Sequence, residues 1–236
     1  MKRILILVGF LVAAGFGFSR DGFQATYSVK VISGSSHDYK EVITVCGDAM
    51  RIELSSDLFL LFDRKKGLAW KVNTKTNEAI EYTFDDNQPF YQQFLMAYGL
   101  MDNSGQLIFP QVIFKRTGNR KVVQGVACFE AKLPGEFMNS TTTAWLPEKV
   151  EKKDQERFNQ FMSFFTKNED FLDLIGHANG FPRRIVSNVR LNNGVTVNRQ
   201  TLLKIKTVPC DAAMFALPEG MKTRKAAPSG IPLRSF

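Results

Sequence analysis

The sequence predicts an α+β fold in which helices fold back over one face of a curved antiparallel sheet. Most of the chain consists of short segments with alternating apolar and polar residues, tight-turn sequences separate these segments, and two stretches of helical periodicity interrupt them. Helices inserted between strand blocks bury the apolar face of such a sheet. The 236 residues, of which 44% are hydrophobic, favour one domain with a sizeable core.

The strand signals begin near residue 23. Residues 23–33 alternate between apolar and polar from Phe23 to Val31, which is typical of a half-buried strand. Residues 47–84 indicate four short strands, whose apolar residues at alternate positions are Met50, Ile52, Leu54, Leu68, Trp70, Val72, Ile80, Tyr82 and Phe84. These positions predict a continuous apolar face. It is either the core of a sheet or the inner wall of a cavity.

Turn sequences connect the strands. Gly47 and Asp48 place glycine at the first central position, as a type II′ hairpin turn requires. Further turns are indicated at 63–67, 73–77, 116–119 and 192–194. Hairpins at this spacing indicate an antiparallel meander. A parallel α/β sheet is excluded because no helical crossovers separate these strands.

Two segments have helical periodicity. In residues 88–101, apolar residues that include Phe90 and Phe94 recur at spacings near four. In residues 151–176, a charged start precedes the aromatic stripe of Phe158, Phe161, Met162 and Phe165. Such a stripe is either ordinary core packing or the wall of an apolar cavity.

The N-terminus predicts export. Lys2 and Arg3 precede an apolar run that ends near Phe16, and Ser19 ends a small-x-small triplet, as in a secretory signal peptide. An uncleaved membrane anchor is the alternative. We expect a signal peptide at 1–19, one domain at 20–222 and a flexible basic tail at 223–236, in a periplasmic or secreted protein.

The chain is basic, with a formal net charge of +8. Its cationic residues are scattered at turns, whereas nucleic-acid binding requires a concentrated footprint. We therefore expect no nucleic-acid partner, and the charge favours an anionic membrane surface instead.

Candidate catalytic and metal-binding groups are few. The sequence around His37 contains serine and aspartate, but neighbours in sequence cannot converge as a catalytic triad, and His177 has no nearby nucleophile. No cysteine or histidine grouping has metal-ligand spacing. We expect no enzymatic activity, no cofactor and no metal. A hydrolase is the least favoured function.

Three cysteines allow at most one internal disulfide. Cys46, Cys128 and Cys210 are widely spaced, and export permits a bond between any two of them. Three buried free thiols are the alternative.

Several motifs together resemble the LolA-like group, which comprises the outer-membrane lipoprotein carrier and its secreted relatives. The motifs are "VCGDAMRIEL" (45–54), "LFLLFDRKKGLAWKVNTKTNEAIEY" (58–82), "VVQGVACFEAKL" (122–133) and "MFALPEGM" (214–221). Asp63, Leu68, Trp70 and Val72 are similar to one strand motif of the carrier. Phe215, Leu217, Pro218 and Gly220 are similar to its late "F-x-L-P-x-G".

The resemblance implies a half-barrel: a strongly curved antiparallel sheet whose concave apolar face is covered by helices and receives acyl chains. We therefore expect a binding protein for acyl chains of lipid or lipoprotein. The expected cavity residues are Met50, Ile52, Leu54, Leu68, Trp70, Val72, Ile80, Tyr82, Phe84, Phe94, Phe161 and Phe165. The alternative is a secreted interaction or structural module with a filled core.

Overall fold

The computed structural model describes residues 21–32, 36–83, 115–132, 140–164, 180–191 and 194–225. The first six strands are β1 (Asp21–Ile32), β2 (His37–Cys46), β3 (Ala49–Glu53), β4 (Leu58–Asp63), β5 (Leu68–Asn73) and β6 (Glu78–Thr83). The later strands are β7 (Lys115–Val123), β8 (Val126–Lys132), β9 (Ser140–Pro147), β10 (Arg184–Leu191), β11 (Gly194–Pro209) and β12 (Lys222–Lys225). Helix α1 (Lys152–Met162) lies between β9 and β10, and a 3₁₀ turn (Ala212–Phe215) follows β11.

The described strands form one open sheet. Their order is β12-β6-β5-β4-β3-β2-β1-β11-β10-β9-β8-β7. Chain neighbours from β1 to β6 pair as an antiparallel meander, and β11 returns to pair with β1. The predicted antiparallel sheet is confirmed. One parallel pair, between β12 and β6, was not predicted.

Strand β12 corrects the boundary of the predicted tail. Thr223, Arg224 and Lys225 pair with β6, whereas the sequence placed them at the start of a flexible tail at 223–236. Strand β12 has no alternating apolar residues, so the sequence pattern does not predict its pairing. Residues 226–236, the predicted signal peptide and the predicted helix at 88–101 lie outside the described residues.

Two hairpin turns show why the strands reverse where they do. Gly47 has a φ of 58°, the left-handed value that a type II′ turn needs at its first position. Between β7 and β8, Gln124 and Gly125 have φ values of 50° and 78°, which are typical of a type I′ turn.

The sheet has two faces that are distinguished by register. Residues directly opposite each other on paired strands project to the same side. One side is called the first face. Across β1 to β5, one row of directly opposite residues on this side is Phe23, Val45, Met50, Phe62 and Ala69. The other side, the second face, carries the residues between them.

The main core lies on the first face. It contains strand residues such as Phe23, Ile43 and Met50 together with Phe158 of α1 and Phe181 of the segment before β10. A smaller core lies on the second face, where Phe59, Leu61, Val72 and Ala79 are buried. The segment between β11 and β12, residues 210–221, is called the C-terminal segment below. Its residues Leu217 and Met221 pack on this second core. Helix α1 therefore contacts one side of the sheet, and the C-terminal segment contacts the other.

A disulfide between Cys46 and Cys210 links the end of β2 to the residue after β11. The predicted limit of one intramolecular bridge is confirmed, and Cys128 is a buried free thiol. Gly22 lies against this bridge: a Cβ at residue 22 would be 2.2 Å from the Val45 carbonyl oxygen and 2.5 Å from the Cys46 sulfur. No helix in the described ranges is long and apolar enough to cross a bilayer.

Candidate ligand-binding face

Five of the predicted cavity residues on the strands lie on the first face. Met50 and Ile52 are opposite Phe62 and Leu60, which fixes their side. Leu54 packs against the same core, and Tyr82 does so from β6. Ile80 shares the side of Tyr82 because it lies two residues away on the same strand. This group runs across β3 to β6.

The predicted strand β5 residues Leu68, Trp70 and Val72 lie on the second face. Trp70 is opposite Leu61 and Glu81, and its Nε1 donates a hydrogen bond to Glu81 Oε2 at 3.1 Å. Val72 is fully buried in the core beneath the C-terminal segment. The expectation of one continuous face is therefore wrong for these three residues. A strand that buries apolar residues on the side away from the main core produces the same alternation in the sequence.

Helix α1 confirms the predicted aromatic stripe as far as it is described. Phe158 is buried, and Phe161 and Met162 pack against the first-face core. Phe84, Phe94 and Phe165, which were also predicted to line the cavity, lie outside the described residues.

Phe181 is a first-face residue that the sequence pattern did not reveal. Its ring centroid lies 5.9 Å from that of Phe23 on β1, 5.2 Å from that of Phe158 and 5.7 Å from that of Phe161 on α1. It thus joins the helix to the sheet. The residue stands in a non-periodic "GFPRR" segment, so only its size and its proline neighbour distinguished it from a surface loop residue.

Polar contacts hold α1 and its C-terminal end at the rim of the first face. Gln160 Nε2 donates to the Gly47 carbonyl at 3.2 Å, and Arg157 Nη2 donates to Thr207 Oγ1 at 2.7 Å. Arg64, in the turn between β4 and β5, donates through Nη1 to Ser163 Oγ at 2.7 Å. Three strand ends are therefore tied to one helix through hydrogen bonds, of which one is exposed and two are partly buried.

A carboxyl group lies among the apolar residues of the first face. Glu41 is opposite Tyr27 of β1, and its neighbour two positions earlier, Tyr39, is opposite Val29. Burial raises the pKa of the Glu41 carboxyl to about 7. Burial, followed by the nearby Glu41, raises the pKa of Tyr39. The carboxyl thus changes charge near neutral pH within an apolar wall.

The first face carries a group of polar side chains on β9 to β11. Ser187 is opposite both Thr142 and Asn198, and the hydroxyl oxygens of Ser187 and Thr142 are 3.0 Å apart. Asn198 Oδ1 is buried and has no hydrogen-bond partner within the described part of the chain. The first face is thus apolar on β1 to β6 and carries a polar patch of Thr142, Ser187 and Asn198 on β9 to β11, next to buried apolar residues such as Leu146 and Leu202. Within the described ranges, no three His, Cys, Asp or Glu residues are grouped as metal ligands.

Comparison with known proteins gives matches at the level of structure. No family model matches the sequence, and no curated protein matches it. An uncharacterized conserved protein from Thermus thermophilus matches with 10% identity and a TM-score of 0.45, over 86% of this chain and 90% of that one.

Two further structures are described as a LolA superfamily protein and as a lipoprotein-sorting domain. A LolA superfamily protein from Nitrosomonas europaea matches with 11% identity and a TM-score of 0.32, over 85% of this chain and 92% of that one. A putative outer membrane lipoprotein-sorting protein domain from Vibrio parahaemolyticus matches with 8% identity and a TM-score of 0.31, over 83% and 88%. Structures of the LolA-like group are thus among those that this chain resembles.

Proposed function

We propose that the protein is an exported binding protein for the acyl chains of a lipid or lipoprotein. The chains would lie against the apolar side of the first face, next to α1. The observation that carries the proposal is the combination of this extended apolar wall with a single short helix tied to its rim by polar contacts, within the described part of the chain. The finer features that this function requires, a strongly curved sheet with a helix-covered concave face, are part of the proposal.

The helix contacts support reversible opening. A neutral hydrogen bond at the rim contributes about 1 kcal/mol net, and one donated by a guanidinium about 1.5 to 3 kcal/mol. The aromatic residues Phe158, Phe161 and Phe181 lose apolar contacts when α1 moves away, at roughly 25 cal/mol per Å² of surface exposed. An acyl chain that enters the same space covers that surface again. The free energy lost when α1 leaves the first face would therefore be nearly offset by the free energy gained when an acyl chain binds there.

The polar patch of the first face suits the other end of an amphiphile. A head group would meet Thr142, Ser187 and the unpartnered Asn198 Oδ1, which accepts a hydrogen bond from a hydroxyl or amide N–H. The ligand would thus have acyl chains and a head group with hydrogen-bond donors. An anionic membrane surface is the partner we propose as its source, and no catalytic step is involved.

One observation favours the alternative, a secreted interaction module with a filled core. Several first-face residues, including Phe23 at 2% and Met50 at 0% exposure, are buried to the degree expected of ordinary close packing. In that case partners would bind at loops or sheet edges.

Lipid extraction separates the two functions. The protein is recovered from the periplasm of expressing bacteria and extracted with organic solvent, and the extract is analysed by mass spectrometry. Acyl lipids in stoichiometric amount are expected for the carrier. Their absence, together with no binding of a fluorescent fatty acid, would favour the interaction module.

A pair of variants tests the location. Leu60→Trp fills space on the first face, whereas Leu217→Trp adds the same bulk to the second-face core. The first variant is expected to weaken binding of the fluorescent fatty acid at least tenfold, and the second is expected to leave it unchanged. Circular dichroism verifies that both are folded. Equal effects of the two variants would contradict the proposed site.

A further inference from the structure

The second face carries a group of cations across β7 to β11, β1 and β2. Register places Lys132, Arg199 and Lys30 in one row across these strands, and it places Arg184 and Lys40 in the next row. The cationic face, as we define it, consists of Lys30, Lys40, Lys121, Lys132, Arg184, Arg199, Lys204 and Lys206. The scattered cations of the sequence are therefore brought together by the fold.

Carboxylates are outnumbered by cations on this part of the described sheet: Asp38 lies opposite Lys30, and Glu130 lies near Lys121 and Lys132. Among the described residues, no member of the cationic face forms a salt bridge, whereas Lys66 pairs with Asp63 and Arg157 pairs with Asp154 elsewhere. The described carboxylates on this part of the face are Asp38 and Glu130. Glu130 already accepts hydrogen bonds from Thr117 Oγ1 at 2.6 Å and Asn119 Nδ2 at 2.7 Å.

Lys121 shows that positive charge accumulates at one side of this face. Its Nζ lies 3.6 Å from the ring centroid of Trp145, which holds the ammonium close to the sheet. Burial lowers the pKa of Lys121, and the nearby Arg184 and Arg199 lower it further, although Glu130 and Cys128 act in the opposite direction. An external anion would relieve this repulsion.

We propose that the cationic face docks on the surface of an anionic lipid bilayer. The cations spread over seven adjacent strands, which span about 29 Å at the usual strand spacing. Cations spread over this distance can contact many lipid head groups of a flat bilayer surface at once, whereas a single small anion could contact only a few of them. Lysines and arginines near an anionic leaflet each add to the attraction. Val195, on the same side of β11 as Arg199, is 52% exposed and adds an apolar contact at this surface.

Single-stranded nucleic acid fits this face less well. Its binding relies on exposed aromatic side chains on which bases stack. Trp145, the aromatic residue beneath Lys121, is only 9% exposed. Docking through the second face leaves the first face and α1 accessible from solution. The inference therefore stands independently of the proposed acyl-chain binding, although it identifies where the proposed membrane partner would bind.

Vesicle sedimentation tests the proposal. The purified protein is mixed with vesicles of phosphatidylcholine containing about 30 mol % phosphatidylglycerol, and with vesicles of phosphatidylcholine alone. We expect binding to the anionic vesicles that falls as salt is raised, and at least tenfold weaker binding to the neutral ones. Equal binding to both, or binding unaffected by salt, would overturn the proposal.

Two matched variants locate the surface. Lys30→Glu/Lys132→Glu/Arg199→Glu reverses exposed cations of the cationic face, and Lys149→Glu/Lys152→Glu/Lys153→Glu makes the same charge change at exposed positions near the start of α1. We expect at least a tenfold loss of vesicle binding for the first variant and less than a twofold loss for the second. Equal losses would mean that net charge alone attracts the protein, which would overturn the assignment.

A fluorescence measurement on another variant does not depend on charge reversal. In Trp70→Phe, Trp145 is the remaining tryptophan of the sequence. Vesicles whose phosphatidylglycerol carries bromine are expected to quench its emission, and unbrominated vesicles of the same lipid composition are not. Absence of quenching with bound vesicles, or preferential binding of single-stranded DNA through the same three cations, would contradict bilayer docking. Fatty-acid binding, measured separately, stays intact if only the docking proposal fails.

Discussion

Cys46 and Cys210, which lie 164 positions apart in sequence, are joined by a disulfide with a Cα–Cα distance of 5.8 Å. The bond fixes the point at which the chain leaves β11 and turns onto the second face. From there, Arg51 Nη1 donates to the Met214 carbonyl at 3.2 Å, and Leu217 and Met221 bury the second core. The disulfide thus secures the segment that covers the apolar part of this side of the sheet.

Removal of the disulfide is expected to destabilise the protein. A bond that closes a loop of this length restricts the unfolded chain strongly, so Cys46→Ala/Cys210→Ala should lower the free energy of unfolding by about 3 to 5 kcal/mol. Urea denaturation measures the change. A reductant should destabilise the unmodified protein and have no further effect on the double variant. A reductant effect of equal size on both would contradict this account.

Gly22→Ala is expected to destabilise the same region. The added Cβ would be 2.2 Å from the Val45 carbonyl oxygen and 2.9 Å from the Cys210 sulfur, and neither group is the end of a flexible side chain. Overpacking of this kind costs about 1 to 3 kcal/mol. Thermal unfolding tests it, with Gly118→Asn as the control for steric contact: a Cβ there meets no atom within 4 Å, and asparagine is among the side chains that best tolerate the positive φ of 86° at this position. Unchanged stability of Gly22→Ala would refute the close approach.

Glu41 predicts a pH dependence of stability. Because burial raises the folded-state pKa to about 7, the folded protein holds this proton more tightly than the unfolded chain does. Its contribution is fully present below about pH 4.5 and is lost as the pH rises through about 7, with a total of at most about 3 kcal/mol. Denaturation of Glu41→Gln across this range should lack that component. Tyr39, on the same face, stays protonated across this window because burial, followed by the nearby Glu41, raises its pKa from the ordinary value.

A Glu41→Gln variant that retains the full pH dependence would show that another group is responsible. Asp38→Asn provides the matched control because it removes a carboxylate from the same strand on the opposite side of the sheet.

Arg64→Ala is expected to loosen the end of α1. The guanidinium donates a hydrogen bond to Ser163 and forms an ion pair with Asp48. Its removal should therefore lower the free energy of local opening of α1 by about 1 kcal/mol. Hydrogen exchange of the α1 amides measures this change, and Lys65→Ala at the exposed neighbouring position is the control. Equal exchange in both variants would show that the aromatic contacts alone hold the helix.

Local patterns predicted the strands better than they predicted the faces. Alternation identified the strands at 47–84 because each one buries every second residue. Alternation could not show whether Trp70 and Met50 lie on the same face. Strand β4, which separates their strands, is apolar on both sides, so either side of β5 could have joined the main core. A one-residue difference in register moves a whole strand to the other face.

Long-range features were beyond the sequence pattern for a different reason. The pairing of β11 with β1 and of β12 with β6 depends on contacts between distant segments, and only the second is parallel. The cationic face shows the same limitation. Lys30, Lys132 and Arg199 are far apart in sequence, and only strand order brings them into one row.

Photo-cross-linking with a diazirine-bearing palmitic acid shows which face of the sheet binds acyl chains. We expect saturable labelling, competed by palmitic acid, at first-face residues such as Met50 and Ile52 and on α1 near Phe158 and Phe161. Labelling concentrated on the second-face core around Val72 and Leu217, or no saturable labelling in folded protein, would contradict the claim that the first face binds acyl chains.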